Sequence, residues 1–345
     1  MTRRLTTAGG LLFFLLAATL PLWLLRDDFL QGIGVRALVV AAAAVSWNLI
    51  GGFAGRLSFG HAAFFGIGAY TSSLLLVERG ISPWLGGLLG MAVAGLVALL
   101  IGLPALRLRG IYFTLVTFVF TLILLTLARY FGGFTGGDVG LSLPLTEPSL
   151  AMMQFRGQTA YYYLALALLA VYVAVSALVS KSPFGYRLRA VRDDEEVAEA
   201  VGVATTRVKL QAFVLSAAMT AFTGTLAAQQ NLFIDPGSAF GIERSVEIAL
   251  GAIFGGIGTV WGPVVGGAGI VVISDGLNTV LRDVVAGADT IVYGLALITV
   301  ALWLPGGLAS LPQRLLGRRR SGPGPSLSDR VARGAPAEEK VGTGG

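Results

Sequence analysis

The chain has 345 residues, of which 55% are hydrophobic and 13% charged, with a mean hydropathy of +0.78. A soluble chain carries roughly a quarter charged residues, so most of this one is not built to face water. With no cysteine and a single histidine, His61, a disulfide framework, a thiolate or multi-histidine metal site and a cysteine nucleophile are excluded. The net charge of +6 gathers at the ends of apolar runs, where it reads as membrane topology rather than nucleic-acid binding.

A bilayer core about 30 Å thick takes roughly 20 apolar residues to cross as a helix. In chain order the apolar runs are 9–25, 33–50, 60–77, 83–104, 110–129, 160–179, 208–228, 246–260, 262–280 and 288–304. Arg3 and Arg4 precede the first run as in a signal peptide. Pro21, Trp23 and Arg26 follow it instead of a small-residue cleavage site, so it reads as a retained helix. The run at 246–260 is short and holds Gly251, Gly255, Gly256 and Gly258; a half-helix or re-entrant segment fits it as well as a crossing. The expected fold is therefore all-α, a polytopic transmembrane helical bundle of 8–10 segments. The membrane domain is placed over 1–312, and 313–345 is expected to be a basic, then disordered tail.

Charge sets the expected orientation. If the N-terminus is cytoplasmic and every run crosses, the inside segments are 1–8, 51–59, 105–109, 180–207 and the stretch after 305. With Lys209 at the adjoining helix end they hold 18 of the 25 lysines and arginines, leaving 7 outside. That is the asymmetry of the positive-inside rule, with both termini in the cytoplasm.

The loop at 181–207 is the longest charged stretch between apolar runs. Pro183 and Gly185 interrupt the preceding helix. Asp193 and Glu196 have the spacing of a capping box, and Gly202 supplies a stop. The helix between them is about two turns long, roughly 12 Å at 1.5 Å per residue. Ala198 and Gly202 share one face, whose small side chains let another surface approach; Glu195 reads as solvated charge. Two readings fit equally: a helix that docks into a groove on a partner, or an ordinary connector.

This segment resembles the EAA loop of ABC importer permeases, a Glu-x-Ala-x-x-x-Gly pattern carried here by Glu196, Ala198 and Gly202, with Val197 in place of the usual second alanine. Other segments resemble the Liv-type permeases, the branched-chain amino-acid importers. They are the glycine-rich stretch Gly51–Tyr70 (GGFAGRLSFGHAAFFGIGAY), Leu106–Thr117, Thr135–Leu141, Arg207–Ala218 and Gly255–Pro263. Asp138 and Val139 depart from the family's usual order. The similarity runs in order from about 35 to 305 and points to the M-type subunit.

The resemblance implies a permease in the bacterial inner membrane whose loop 181–207 forms the coupling helix. It implies that Arg192, Asp193, Glu196, Ala198 and Gly202 meet the ATPase subunits. It implies further partners: a homologous H-type permease, giving a heterodimer, and a periplasmic substrate-binding protein. No catalytic residue, cofactor or metal is expected on this chain. The substrate implied is a branched-chain or other hydrophobic amino acid, with urea or short amides as the alternative.

Read physically, Gly51, Gly52, Gly55, Gly60, Gly66 and Gly68 allow either close helix packing or unwound backbone lining a cavity. Asn48, Ser58 and His61 are polar residues near that break. With Thr135 and Asp138 of the Thr-Gly-Gly loop they are the candidates for a translocation path. His61 also fits a structural hydrogen bond that caps its helix. The lysines are Lys181, Lys209 and Lys340 alone, and none lies in a P-loop, so ATP phosphates are not cradled here. An ion-coupled secondary transporter would hold ionisable groups in mid-membrane; Glu247 and Asp275 are the candidates, each near a run end. A membrane enzyme would need a clustered constellation, and Asp27-Asp28 lacks a second acidic motif.

Overall fold

The computed structural model describes residues 10, 13–21, 27–108 and 110–281, with side chains through 276. The run at 288–304 and the tail at 313–345 lie outside the described residues, as does part of the run at 9–25.

Helix α1 (Asp28–Asn48) passes directly into a π-helical turn, Leu49–Phe53, and residues 54–60 then continue without regular structure. Three helices follow: α2 (His61–Arg79), α3 (Pro83–Ala105) and α4 (Ile111–Tyr130). A one-turn helix, α5 (Gly132–Thr135), leads to the short strand β1 (Leu141–Ser142). Next come α6 (Gln158–Lys181), α7 (Pro183–Asp193), α8 (Glu195–Ala200) and α9 (Thr205–Asn231). Strand β2 (Phe233–Ile234) pairs antiparallel with β1, and α10 (Pro236–Phe240), α11 (Ile242–Gly256) and α12 (Gly262–Leu281) complete the described chain. The architecture is an all-α polytopic membrane bundle. A helix stands over each of the eight apolar runs between 33 and 280.

Local chemistry sets the boundaries. Ser82 caps α3 by accepting from the Trp84 N–H, with Pro83 at the first helical position, where its missing N–H costs nothing. Gly80 ends α2 in the left-handed region, φ 63°. Among the described residues five helical spans are long and apolar enough to cross a membrane: Asp28–Phe53, Pro83–Ala105, Ile111–Tyr130, Gln158–Lys181 and Thr205–Asn231. At 15 residues, α11 is about 22 Å long, short of a full core thickness.

Burial sorts these helices into layers. The α1 span and α9 form the centre, whereas α3 and α4 carry rows of exposed Leu, Ile and Val. Such rows would be a liability in water and are the natural lipid-facing surface in a bilayer. Lipid offers no hydrophobic drive for helices to associate, so close packing and polar contacts hold the centre. At the α2–α9 crossing a side chain at Gly68 would strike the Ala221 backbone, and one at Gly224 the Phe65 backbone. The two glycines let the helices meet backbone to backbone.

The unwound segment 54–60 is supported residue by residue. Thr117 Oγ1 accepts from Phe59 N at 3.1 Å and Thr121 Oγ1 donates to Phe59 O at 3.0 Å. Thr114 Oγ1 donates to Leu57 O at 2.9 Å, and Trp47 Nε1 to Ser58 O at 2.7 Å. Ser245 Oγ on α11 donates to Phe59 O at 2.6 Å while accepting from Ala62 N at 2.9 Å. Irregular backbone at membrane depth is tolerated where protein satisfies its polar groups, and here hydroxyls on one face of α4 and on α11 do so.

The segments 51–59, 105–109 and 180–207, which charge counting places on one side, meet at one end of the bundle: Arg56 pairs with Glu195, Arg192 reaches Gly52 O, and Lys209 reaches Leu106 O at 3.2 Å. At the other end Trp84 Nε1 donates to Leu150 O at 2.8 Å and Thr159 Oγ1 to Gln31 Oε1 at 2.7 Å.

Candidate functional site

The loop after α6 is more structured than an interruption. Ser182 leaves the helical region, and its hydroxyl accepts from Gly185 N at 3.2 Å. Pro183 thus opens a second helix, α7, rather than only ending the first. The chain then turns at Asp194, φ −157°. Asp194 Oδ1 accepts from the Glu196 and Val197 N–H groups, both at 3.0 Å. The cap is therefore Asp194, not Asp193, which remains the last residue of α7: the extended turn falls one residue later than the spacing suggests. Glu195 and Glu196 occupy the first turn of α8, favourable for its dipole. At the far end Val203 N donates to Ala198 O at 3.0 Å, and Gly202 adopts φ +86°. Gly202 is the stop as expected. A side chain there would meet nothing within 4 Å, so the constraint is conformational rather than steric.

The faces of α8 differ from the sequence reading. Ala198 is 3% exposed and packs against its own chain, so it offers no surface to a partner. The exposed large apolar residues are Val197 and Val201, 58% and 75% exposed and four apart, alongside the exposed Glu196, Glu199 and Ala200. Glu195, read as solvated charge, is instead an inward anchor that pairs with both Arg56 and Lys209; the Lys209 side chain is 2% exposed. Burial by itself raises the Glu195 carboxyl, but the Lys209 and Arg56 charges outweigh it and hold it below the usual glutamate value. Beside this pair Arg192 Nη1 donates to Gly52 O at 2.7 Å, and Thr205 Oγ1 to Glu199 Oε1 at 2.5 Å. Glu196 is exposed on the same short helix. Helix α8 is thus tied to the unwound segment through Arg56 and to α9 through Lys209, while Arg192 ties the end of α7 to the π-helical turn.

Asn48, Ser58 and His61 are all buried but make separate contacts, while Thr135 and Asp138 lie past the far end of α4. Asn48 Nδ2 donates to Thr259 O and its Oδ1 accepts from Gly258 N, both at 2.8 Å, pinning the α11–α12 turn to α1. Ser58 Oγ accepts from Gly60 N at 3.2 Å. His61 Nε2 lies 2.7 Å from Ser216 Oγ, which donates to Ser46 O at 2.6 Å. With that hydroxyl proton committed, Nε2 carries the imidazole proton and donates; the ring bridges to α9 rather than capping its own helix. Thr135 Oγ1 donates to Ala128 O at 2.5 Å, closing the end of α4. Asp138 is exposed and pairs with Arg129 at 2.9 Å.

A second charged group escaped the sequence reading. Arg36, on α1, bridges two carboxylates: Nη1 to Asp275 at 2.6 Å and Nη2 to Glu247 at 3.1 Å. Glu247 also binds Arg244 at 2.7 Å. The partners of Arg36 are 211 and 239 residues away, so no local pattern joins them. The available signal was that each is an ionisable residue within or beside an apolar run. Held by guanidinium groups, Glu247 and Asp275 do not stand as the lone mid-membrane carboxylates of an ion carrier. Among the described residues no group of three His, Cys, Asp or Glu could hold a metal.

A family model described as branched-chain amino acid transport system / permease component matches residues 29–301. The chain is 28% identical over 299 residues to the high-affinity branched-chain amino acid transport system permease protein LivM of Salmonella typhimurium (strain LT2), covering 80% of this chain and 69% of that protein. It is 26% identical over 291 residues to LivH of the same organism, covering 79% and 92%. The autoinducer 2 import system permease protein LsrC of Klebsiella pneumoniae is 34% identical over 137 residues, 39% of each chain. No solved structure matches. With the match spanning the bundle from α1 through α12, this chain belongs to the family of branched-chain amino acid transport system permease components.

Proposed function

We propose that the chain is the M-type membrane subunit of an ATP-driven importer of branched-chain or related hydrophobic amino acids. ATP is hydrolysed on separate ATPase subunits, a periplasmic binding protein delivers substrate, and an H-type homologue supplies the other half of the membrane pathway. The end carrying α7 and α8 faces the cytoplasm of the bacterial inner membrane.

One observation carries this reading: α8 is capped at both ends, presents Val197 and Val201 outward, and is clamped inward through Glu195. Apolar side chains on a short exposed helix suit a groove on a partner. Arg192, Asp193, Glu196 and Gly202 flank or shape that surface, and Ala198 seats the helix from beneath. Displacing α8 pulls on Arg56 and hence on segment 54–60, which ends at His61. Ser216, the partner of His61, lies eleven residues into α9, about 16 Å from its start, near mid-bilayer. Motion of the partner thus has a polar route to the centre of the bundle. Asn48, Ser58 and His61 act along it as positioning residues.

The test is uptake by proteoliposomes holding the chain with its ATPases, its permease partner and its binding protein. Leucine, isoleucine or valine is expected to enter only with ATP and binding protein, and the isolated chain is expected to hydrolyse no ATP. Uptake of urea or short amides with exclusion of leucine would overturn the substrate assignment. ATP-independent uptake driven by an ion gradient would overturn the class.

A further inference from the structure

We infer that the Arg36–Glu247–Arg244–Asp275 network is a binding station for the zwitterionic head of an amino acid on its way through the membrane. The inference rests on the amino-acid import reading above. Arg36 stands eight residues into a membrane span, about 12 Å along α1, yet 43% of its side chain is exposed. A guanidinium facing lipid there is costly, and intramembrane charges of this kind face a water-filled cavity or another protein.

Two cavities, of about 410 Å³ and about 350 Å³, are both lined by Arg36 and Arg244. Each lies in the size range of small-molecule sites, roughly 300–1,000 Å³. The first adds Glu247 and the apolar side chains of Val246 and Leu250. The second adds Asp275 and the Phe65 ring. The two guanidiniums match an α-carboxylate, the carboxylates (Glu243 and Glu247 in the first cavity, Asp28 and Asp275 in the second) an α-ammonium, and the apolar walls an aliphatic side chain. Arg244 also carries a buried Nε–H with no hydrogen-bond partner. Native structures rarely leave such a donor orphaned, so this guanidinium is incompletely satisfied within the chain.

The experiment uses the full complex in proteoliposomes, with leucine and its amide, leucinamide, as probes. Val246→Trp fills the first cavity without removing a charge, and Arg36→Lys keeps the charge but loses the fork that spans two carboxylates. Both variants are expected to retain the second permease and the ATPases at matched membrane levels. Leucine uptake by Arg36→Lys should fall by about tenfold, as loss of one charge-assisted contact predicts, uptake by Val246→Trp should fall because the cavity is occluded, and wild type should favour leucine over leucinamide. Normal leucine uptake by both variants would overturn the station. Loss of the second permease from both would assign the network to a subunit contact instead. A wild-type complex that takes up no leucine would sink the import reading itself, an outcome distinct from either.

Discussion

Lys209, buried near the start of α9, donates to the Glu195 carboxylate at the start of α8, joining a six-residue loop helix to one of the two most buried spans. Glu195→Gln removes the charge that balances Lys209 and Arg56. The cost should be about 1.5–3 kcal/mol, the range for hydrogen bonds to charged groups, rather than the near-zero effect of a solvated glutamate. Because the folded carboxyl lies below its ordinary value, its stabilisation is complete above the ordinary glutamate range. It is lost as pH falls through the lower folded value. Thermal unfolding in detergent between neutral and acidic pH checks both points: wild type and Glu195→Gln should converge at low pH, and a constant gap would contradict this.

Ser245→Ala should destabilise more than Thr114→Val. Ser245 serves two groups, Phe59 O and Ala62 N, in the interior, whereas Thr114 bonds Leu57 O at an exposed site where water can substitute. About 1–3 kcal/mol is at stake for the Ala62 N–H left unpaired, since Thr121 Oγ1 still donates to Phe59 O. Equal melting temperatures for the two variants would argue that segment 54–60 does not depend on these hydroxyls.

His61 and Ser216 should be energetically coupled. His61→Leu and Ser216→Ala each break the same 2.7 Å bond, so the double variant should lose less than the sum, with a coupling of about 0.5–3 kcal/mol. Additive losses in unfolding measurements would mean the contact contributes nothing as a pair.

Gly202→Ala tests the stop of α8. At φ +86° an L-residue pays roughly 1–2 kcal/mol, although a methyl group there meets no neighbour. Ala198→Trp acts differently, by overpacking a buried site at about 1–3 kcal/mol. Gly202→Ala is expected to raise proteolytic cleavage of loop 181–207 while the bundle stays folded, and Ala198→Trp to do so more strongly. Wild-type cleavage of both would contradict the packing described for α8.

Much of the bundle was legible because a helix in lipid must be long and apolar, and runs such as 83–104 and 110–129 announce α3 and α4. The stop at Gly202 was legible for a similar reason, since left-handed backbone favours glycine. Three features were not. The cap moved from Asp193 to Asp194 because either carboxylate suits a cap and only backbone geometry chooses. Ala198 turned inward because six residues of helix leave its facing to the surrounding packing. The Glu195 clamp and the Arg36 bridges join residues from 14 to 239 positions apart, beyond any periodicity.

The central claim is that the outward face of α8 seats the ATPase. The most direct measurement is co-purification of the ATPase subunits with a Val197→Asp/Val201→Asp double variant, at matched membrane levels of permease. Both side chains are exposed, so the bundle should insert and melt as wild type does, while two carboxylates placed in an apolar groove should be expelled from it. The account predicts near-complete loss of ATPase recovery and of binding-protein-stimulated ATP hydrolysis. Wild-type recovery of the ATPase with this variant would show that α8 is only a connector and would contradict the account.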